Sequence, residues 1–155
     1  MQTSASLKAF SRFLKLEKRK DLIEEVIAQS YQNKLPAMDQ LKGLSELKVY
    51  QLFEQGLILF LDDIINDRPL EGLVQTLSEW MEKKLATEIK SISYTDVISG
   101  YQIRKQVMIR FIDAYTNDPL KYIDLVQELT LIMAGIEKTT VDYLSKNHSP
   151  FVKAI

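Results

Sequence analysis

The stretch DPLKYIDLVQELTLIMAGIEKTTVDYLSKN, residues 118–147, decides the fold class. It opens on Asp118-Pro119, a carboxylate suited to cap a helix and then a proline at the first helical position, where its missing N–H is not needed. Behind that start, Tyr122, Val126, Leu129, Met133, Ile136, Thr140 and Tyr143 recur at steps of three and four, the repeat of one helical face. Leu125, Ile132 and Val141 widen the apolar surface. The spacing predicts one long helix ending near Asn147.

Upstream the same period continues. Val97, Tyr101, Met108, Phe111 and Tyr115 fall at steps of three, four or seven, on a helix that Ser93 or Thr95 can cap and Thr116-Asn117-Asp118 ends. Asn66-Asp67-Arg68-Pro69 separates a helix from Ser45 to about Ile65 from another running from Pro69 to about Ile89. Residues 57–61 are apolar on all sides, the mark of a helix surrounded by others. Pro36 and Gly43 bound a connection with room for one helical turn, and two further helices precede it, at about Ser4–Leu16 and Lys18–Lys34. No stretch alternates like a strand. The expectation is an all-α bundle of six to seven helices in one domain of 155 residues: an N-terminal helix over about 4–16, the bundle over about 18–147, and a short tail at 148–155.

Bulk composition narrows the function classes. Twenty basic residues against 21 acidic ones leave a formal charge of -1, so no global field recruits nucleic acid or an anionic membrane. Cysteine is absent, which removes disulfides, thiolate metal sites and a cysteine nucleophile. The N-terminus lacks the apolar core of a signal peptide, and GLILFL at 56–61 is far short of the roughly 18 residues that span a bilayer. These features lead to the expectation of a cytoplasmic protein with no membrane or nucleic-acid partner.

Catalytic constellations are not found. The single histidine, His148, sits in a polar stretch after the last helix, where the sequence shows neither a positioned acid or nucleophile nor the further ligands of a metal site. Glu24/Glu25 and Asp62/Asp63 are adjacent pairs, which diverge on a helix by about 100° and do not converge on one atom. Nucleophile-elbow, dinucleotide-binding and P-loop patterns are absent. The basic run at Lys15–Lys20 is short and is followed by Asp21, Glu24 and Glu25, as at a solvated helix junction. The first 50 residues also lack the glycine turn and aromatic recognition helix of a TetR-like regulator. We therefore expect no enzyme, no cofactor and no metal site.

Two residues stand out. Arg104 fills a position on the apolar face shared by Tyr101, Val107 and Met108, where a guanidinium needs a carboxylate, carbonyls or a ligand anion. A salt bridge to a neighbouring helix and an anion contact inside a pocket are the two readings. Trp80, the only tryptophan, is either core or pocket wall. Trp80, Tyr101 and Arg104 are thus the candidate pocket residues.

Several segments carry a family likeness: Leu77-Ser78-Glu79-Trp80, then Ile92-Ser93-Tyr94-Thr95-Asp96, Tyr101-Gln102-Ile103-Arg104-Lys105, Phe111-Ile112-Asp113-Ala114-Tyr115, and the long last helix. Together with Leu7–Phe13 and Lys18–Ala28 they resemble the N-terminal sensor domain of RsbR-type stressosome proteins and related histidine kinases, which are globin-like domains without haem. The resemblance implies a globin-like homodimer that passes a signal through its last helix to an output domain. It places Tyr122, Leu129, Met133 and Ile136 near the partner. A haem is not implied, because residues 80–103 contain no histidine or cysteine and His148 lies past the last helix. Alternatives are the ligand-binding or dimerisation domain of a helical transcription regulator, which calls for an apolar cavity, and a helical adaptor, which calls for an exposed apolar groove.

Overall fold

The computed structural model describes residues 2–83, 92–146 and 152–153 of the chain. Seven α-helices are present in them: α1 (Ala5–Glu17), α2 (Arg19–Gln32), α3 (Glu46–Ile65), α4 (Pro69–Lys83), α5 (Tyr94–Arg110), α6 (Ile112–Tyr115) and α7 (Pro119–Lys146). A 3-10 turn, Pro36–Leu41, fills the connection between α2 and α3. The protein is all-α, as the apolar periods predict.

Capping chemistry sets most of the starts. The Ser4 hydroxyl accepts from Leu7 N and the Ser45 hydroxyl from Lys48 N, so each satisfies a backbone donor that its helix leaves free. At α5 the cap is Ser93 rather than Thr95: its hydroxyl accepts from Asp96 N, while Asp96 accepts in return from Ser93 N. Asp118 Oδ1 accepts from Leu120 N at 3.0 Å, as the Asp118-Pro119 signal requires.

Two elements differ from expectation. The helix predicted to run to Tyr115 stops at Arg110; Phe111 closes a tighter turn by donating to Met108 O, and α6 follows as a separate turn. After that break the Tyr115 ring lies 5.4 Å from Phe10 and 5.3 Å from Phe13 (centroid to centroid), so α6 brings an aromatic onto α1 that a straight α5 would carry past it. Two short strands are also present where none is predicted. Ile92–Ser93 (β1) pairs in parallel with Val152–Lys153 (β2), which places those two residues beside the start of α5. The end of the helix predicted over 69–89 lies partly outside the described residues.

One hydrophobic core joins all seven helices, with Phe10, Leu61, Ile64, Val107, Met108, Ile112 and Leu129 wholly enclosed. Helix α3 runs through its middle, against α1, α2 and α4, while α7 packs on α4 and α5. The end of α3 is fastened from outside. Asp67 adopts a left-handed backbone (φ 59°), which aspartate tolerates better than most residues, and its carboxylate accepts from Thr3 N and Lys8 Nζ. Among the described residues no helix is long and apolar enough to cross a membrane.

Candidate functional site

A cavity of about 200 Å³ opens between α2, the 3-10 turn, α3 and α5. Its walls are largely apolar: Val26 from α2, Met38 and Leu41 from the turn, Leu52, Phe53 and Leu57 from α3, and Val97 from α5. Tyr101 and Arg104, two of the three candidate residues, line it together, one turn apart on α5.

The position of Arg104 removes one of the two readings left by the sequence. Its guanidinium carbon lies 5.4 Å from the Phe60 ring centroid and 5.6 Å from that of Tyr101. Among the described residues it has neither a hydrogen bond nor an ion pair, so the neighbouring-helix salt bridge is not made. By surface area Arg104 is only half-buried, yet its charge is deeply desolvated: burial pushes its pKa below the ordinary arginine value, with the Tyr101 phenol acting the other way. Burial likewise raises the Tyr101 phenol, and the neighbouring Arg104 opposes it. Arginine stays protonated at any such shift. Two ring faces offset part of the desolvation, at about 0.5–2 kcal/mol each, and leave its N–H groups free to donate.

The one acid on the cavity wall is already committed. Asp96 Oδ2 accepts from Ser93 N at 2.9 Å and Ser93 Oγ at 3.0 Å, while Oδ1 accepts from Ala37 N at 2.8 Å. It caps α5 and at the same time pins the 3-10 turn that forms the far wall. Gly56 makes the room: a Cβ there would lie 3.2 Å from Arg104 Nη2. A glycine inside the apolar helix is unfavourable by about 1 kcal/mol relative to alanine, and this close approach is its compensation. The glycine within GLILFL was the available signal for this wall; nothing in the sequence marks Met38, Leu41 or Phe53 as its partners.

The remaining predicted site residues fall elsewhere. Trp80 belongs to α4, but its side chain lies outside the described residues, as does His148. Leu129, Met133 and Ile136 are 0–1% exposed, inside the protomer's own core, and Tyr122 is half-buried against it. This corrects the expected interface: the predicted face of α7 meets its own bundle because α4 and α5 cover it. Among the described residues no group of three or more His, Cys, Asp or Glu side chains could hold a metal ion. A smaller recess of about 150 Å³, lined mainly by the polar residues Asn33, Lys34, Thr95, Ser99, Gln102 and Gln106, adjoins the cavity at Leu35. Compared with known proteins, the chain matches no protein family, no curated protein and no solved structure.

Proposed function

We propose that this chain is a ligand-sensing helical module whose cavity takes a small apolar molecule with an anionic head, and that it relays occupancy through its last helix. The carrying observation is the Arg104 guanidinium, desolvated and without an acid partner, lining a largely apolar cavity whose one acid, Asp96, is committed to Ser93 and Ala37. A carboxylate ligand would supply the missing partner and charge-assisted bonds of about 1.5–3 kcal/mol, while its tail meets Leu57, Val97 and Met38. A cavity somewhat larger than the roughly 150 Å³ that accepts benzene suits about six to ten non-hydrogen atoms, with a longer tail leaving by the open side. Helix α5, which carries Arg104, packs directly on α7, so a shift at the ligand is felt there. This fits the non-haem, globin-like sensor that the sequence resembles, acting without catalysis or cofactor on a downstream output domain. The ligand-binding half of a transcription regulator would use the same cavity and differ only in its output.

Calorimetry with octanoate, octanol and octylamine tests the reading. Octanoate is expected to bind at least about tenfold more tightly than octanol, and Arg104→Gln to remove that difference. Equal binding of acid and alcohol would leave an apolar cavity with no role for Arg104. No heat with any of the three would end the proposal.

A further inference from the structure

Helix α5 presents adjoining faces to two recesses. Asp96, Gly100 and Arg104, at steps of four, line the cavity. Thr95, Ser99, Gln102 and Gln106, at steps of four and three, line the smaller recess beside it. This second set is uncharged throughout. Thr95 and Ser99 are half-buried, Gln102 and Gln106 exposed, and among the described residues none of the four side chains makes a hydrogen bond within the chain. Hydroxyls and amides in a row offer both donors and acceptors to a neutral polar group. Lys34, at the rim, is exposed, so its ammonium is held by water.

The two recesses meet. Leu35 lines both, and its N–H donates to Ser30 O at 3.3 Å, which fixes its backbone at the end of α2 and leaves its side chain as the partition. On α5 the boundary falls between neighbours, Ser99 on the recess and Gly100 on the cavity. A glycine inside a helix is unfavourable, and at Gly56 the nearby guanidinium accounts for it. At Gly100 no contact does. A β-carbon there would meet nothing within 4 Å beyond its own helix backbone, so the boundary beside Ser99 is left open. Arg104 follows Gly100 by one turn, about 6 Å of helix rise, so a chain whose acid sits on Arg104 soon reaches this opening. We propose that the ligand has two polar ends: an anionic one on Arg104 and, across the gap at Gly100, a neutral hydroxyl or amide in the recess. This rests on the ligand reading of Arg104 and makes the occupant an ω-hydroxy or ω-amide acid rather than a plain fatty acid.

Calorimetry with octanoate and ω-hydroxyoctanoate tests the second end. In a site apolar to its far wall, a terminal hydroxyl without a partner would weaken binding by about tenfold or more. The hydroxy acid is expected instead to bind at least as tightly as octanoate. Ser99→Ala/Gln102→Leu should weaken the hydroxy acid by about threefold to tenfold and leave octanoate unchanged, with circular dichroism confirming the fold. Gly100→Leu, which fills the opening, should weaken both acids. Octanoate binding about tenfold more tightly than the hydroxy acid would overturn the two-ended ligand while the Arg104 reading stands. An unchanged ratio in the double variant, or unchanged affinities in Gly100→Leu, would do the same. So would tighter binding of octanedioate than of the hydroxy acid, which would make Lys34 the partner of a second acid. Heat with none of these compounds would remove the Arg104 reading as well.

Discussion

Gly56 and Arg104 approach so closely that a β-carbon at position 56 would stand 3.2 Å from the guanidinium. The contact is with the far end of a flexible side chain, which can move by a few tenths of an ångström. Gly56→Ala should therefore gain helix propensity, up to about 1 kcal/mol, while displacing the guanidinium from its place over Phe60. Thermal melts are expected to show unchanged or raised stability together with weaker octanoate binding. Arg104→Met extends the logic: removing a desolvated charge that has no acid partner should raise the unliganded melting temperature. A marked loss of stability in Arg104→Met would mean that the guanidinium is held by interactions favourable enough to leave nothing for a ligand.

Asp96 closes the cap of α5 and accepts from Ala37 across 59 residues of sequence. Asp96→Ala keeps the Ser93 hydroxyl on its own backbone N–H but should lose the return bond from Ser93 N, about 1 kcal/mol, and the turn-anchoring hydrogen bond from Ala37, about 1 kcal/mol more. Denaturant melts would read the sum, and Ser93→Ala would read the other half of the capping box, the Ser93 hydroxyl on Asp96 N, with the Ala37 bond left in place. A loss of no more than about 1 kcal/mol in Asp96→Ala would show that the link to Ala37 contributes nothing.

The acids at the end of α3 respond to pH in opposite senses. Hydrogen bonds from Lys8 and then Thr3 hold the Asp67 pKa below the usual carboxylate value. Its stabilisation is therefore present above the unfolded pKa, about 3.9, and is lost as pH falls through the lower folded value. Burial raises the Asp63 pKa, against the attraction of Arg68. Its charge thus opposes folding at neutral pH, and the penalty is relieved as pH falls through the raised folded value. At pH 7 Asp67→Asn should melt earlier and Asp63→Asn later than the parent chain. On acidification the Asp63 difference should vanish first. Asparagine also tolerates the left-handed backbone of position 67, so that comparison isolates the charge.

The helices were legible because their signals are local: Ser45, Ser93 and Asp118-Pro119 act within one turn, and the apolar steps need no partner to be read. The break at Phe111 was not, since no glycine or proline marks it and the gain, Tyr115 on Phe10 and Phe13, lies a hundred residues away in sequence. Arg104 was legible as an anomaly but its surroundings were not, because the cavity is assembled from four separate segments. The interface residues assigned from the resemblance failed for a related reason. A helix with apolar residues on several sides does not say which side its own neighbours occupy. Only the packing of α4 and α5 distinguishes buried Leu129 and Met133 from exposed Leu131.

Gly72 and Asp63 supply the sharpest steric test. A β-carbon on Gly72 would fall 2.2 Å from the Asp63 Cγ and from its Oδ2, a separation no side chain keeps without movement. Asp63 is short, and Asp67 and Pro69 confine the connection between its helix and that of Gly72. Gly72→Ala should thus force the carboxylate to turn, and the cost should exceed the helix-propensity gain of about 1 kcal/mol. Asp63→Ala removes the obstacle, so Gly72→Ala measured in that background should become neutral or stabilising. The double-mutant cycle reads this as a coupling energy of about 1 kcal/mol or more. Additive effects of the two substitutions would mean that Asp63 turns away freely, and that Gly72 is not needed to seat it.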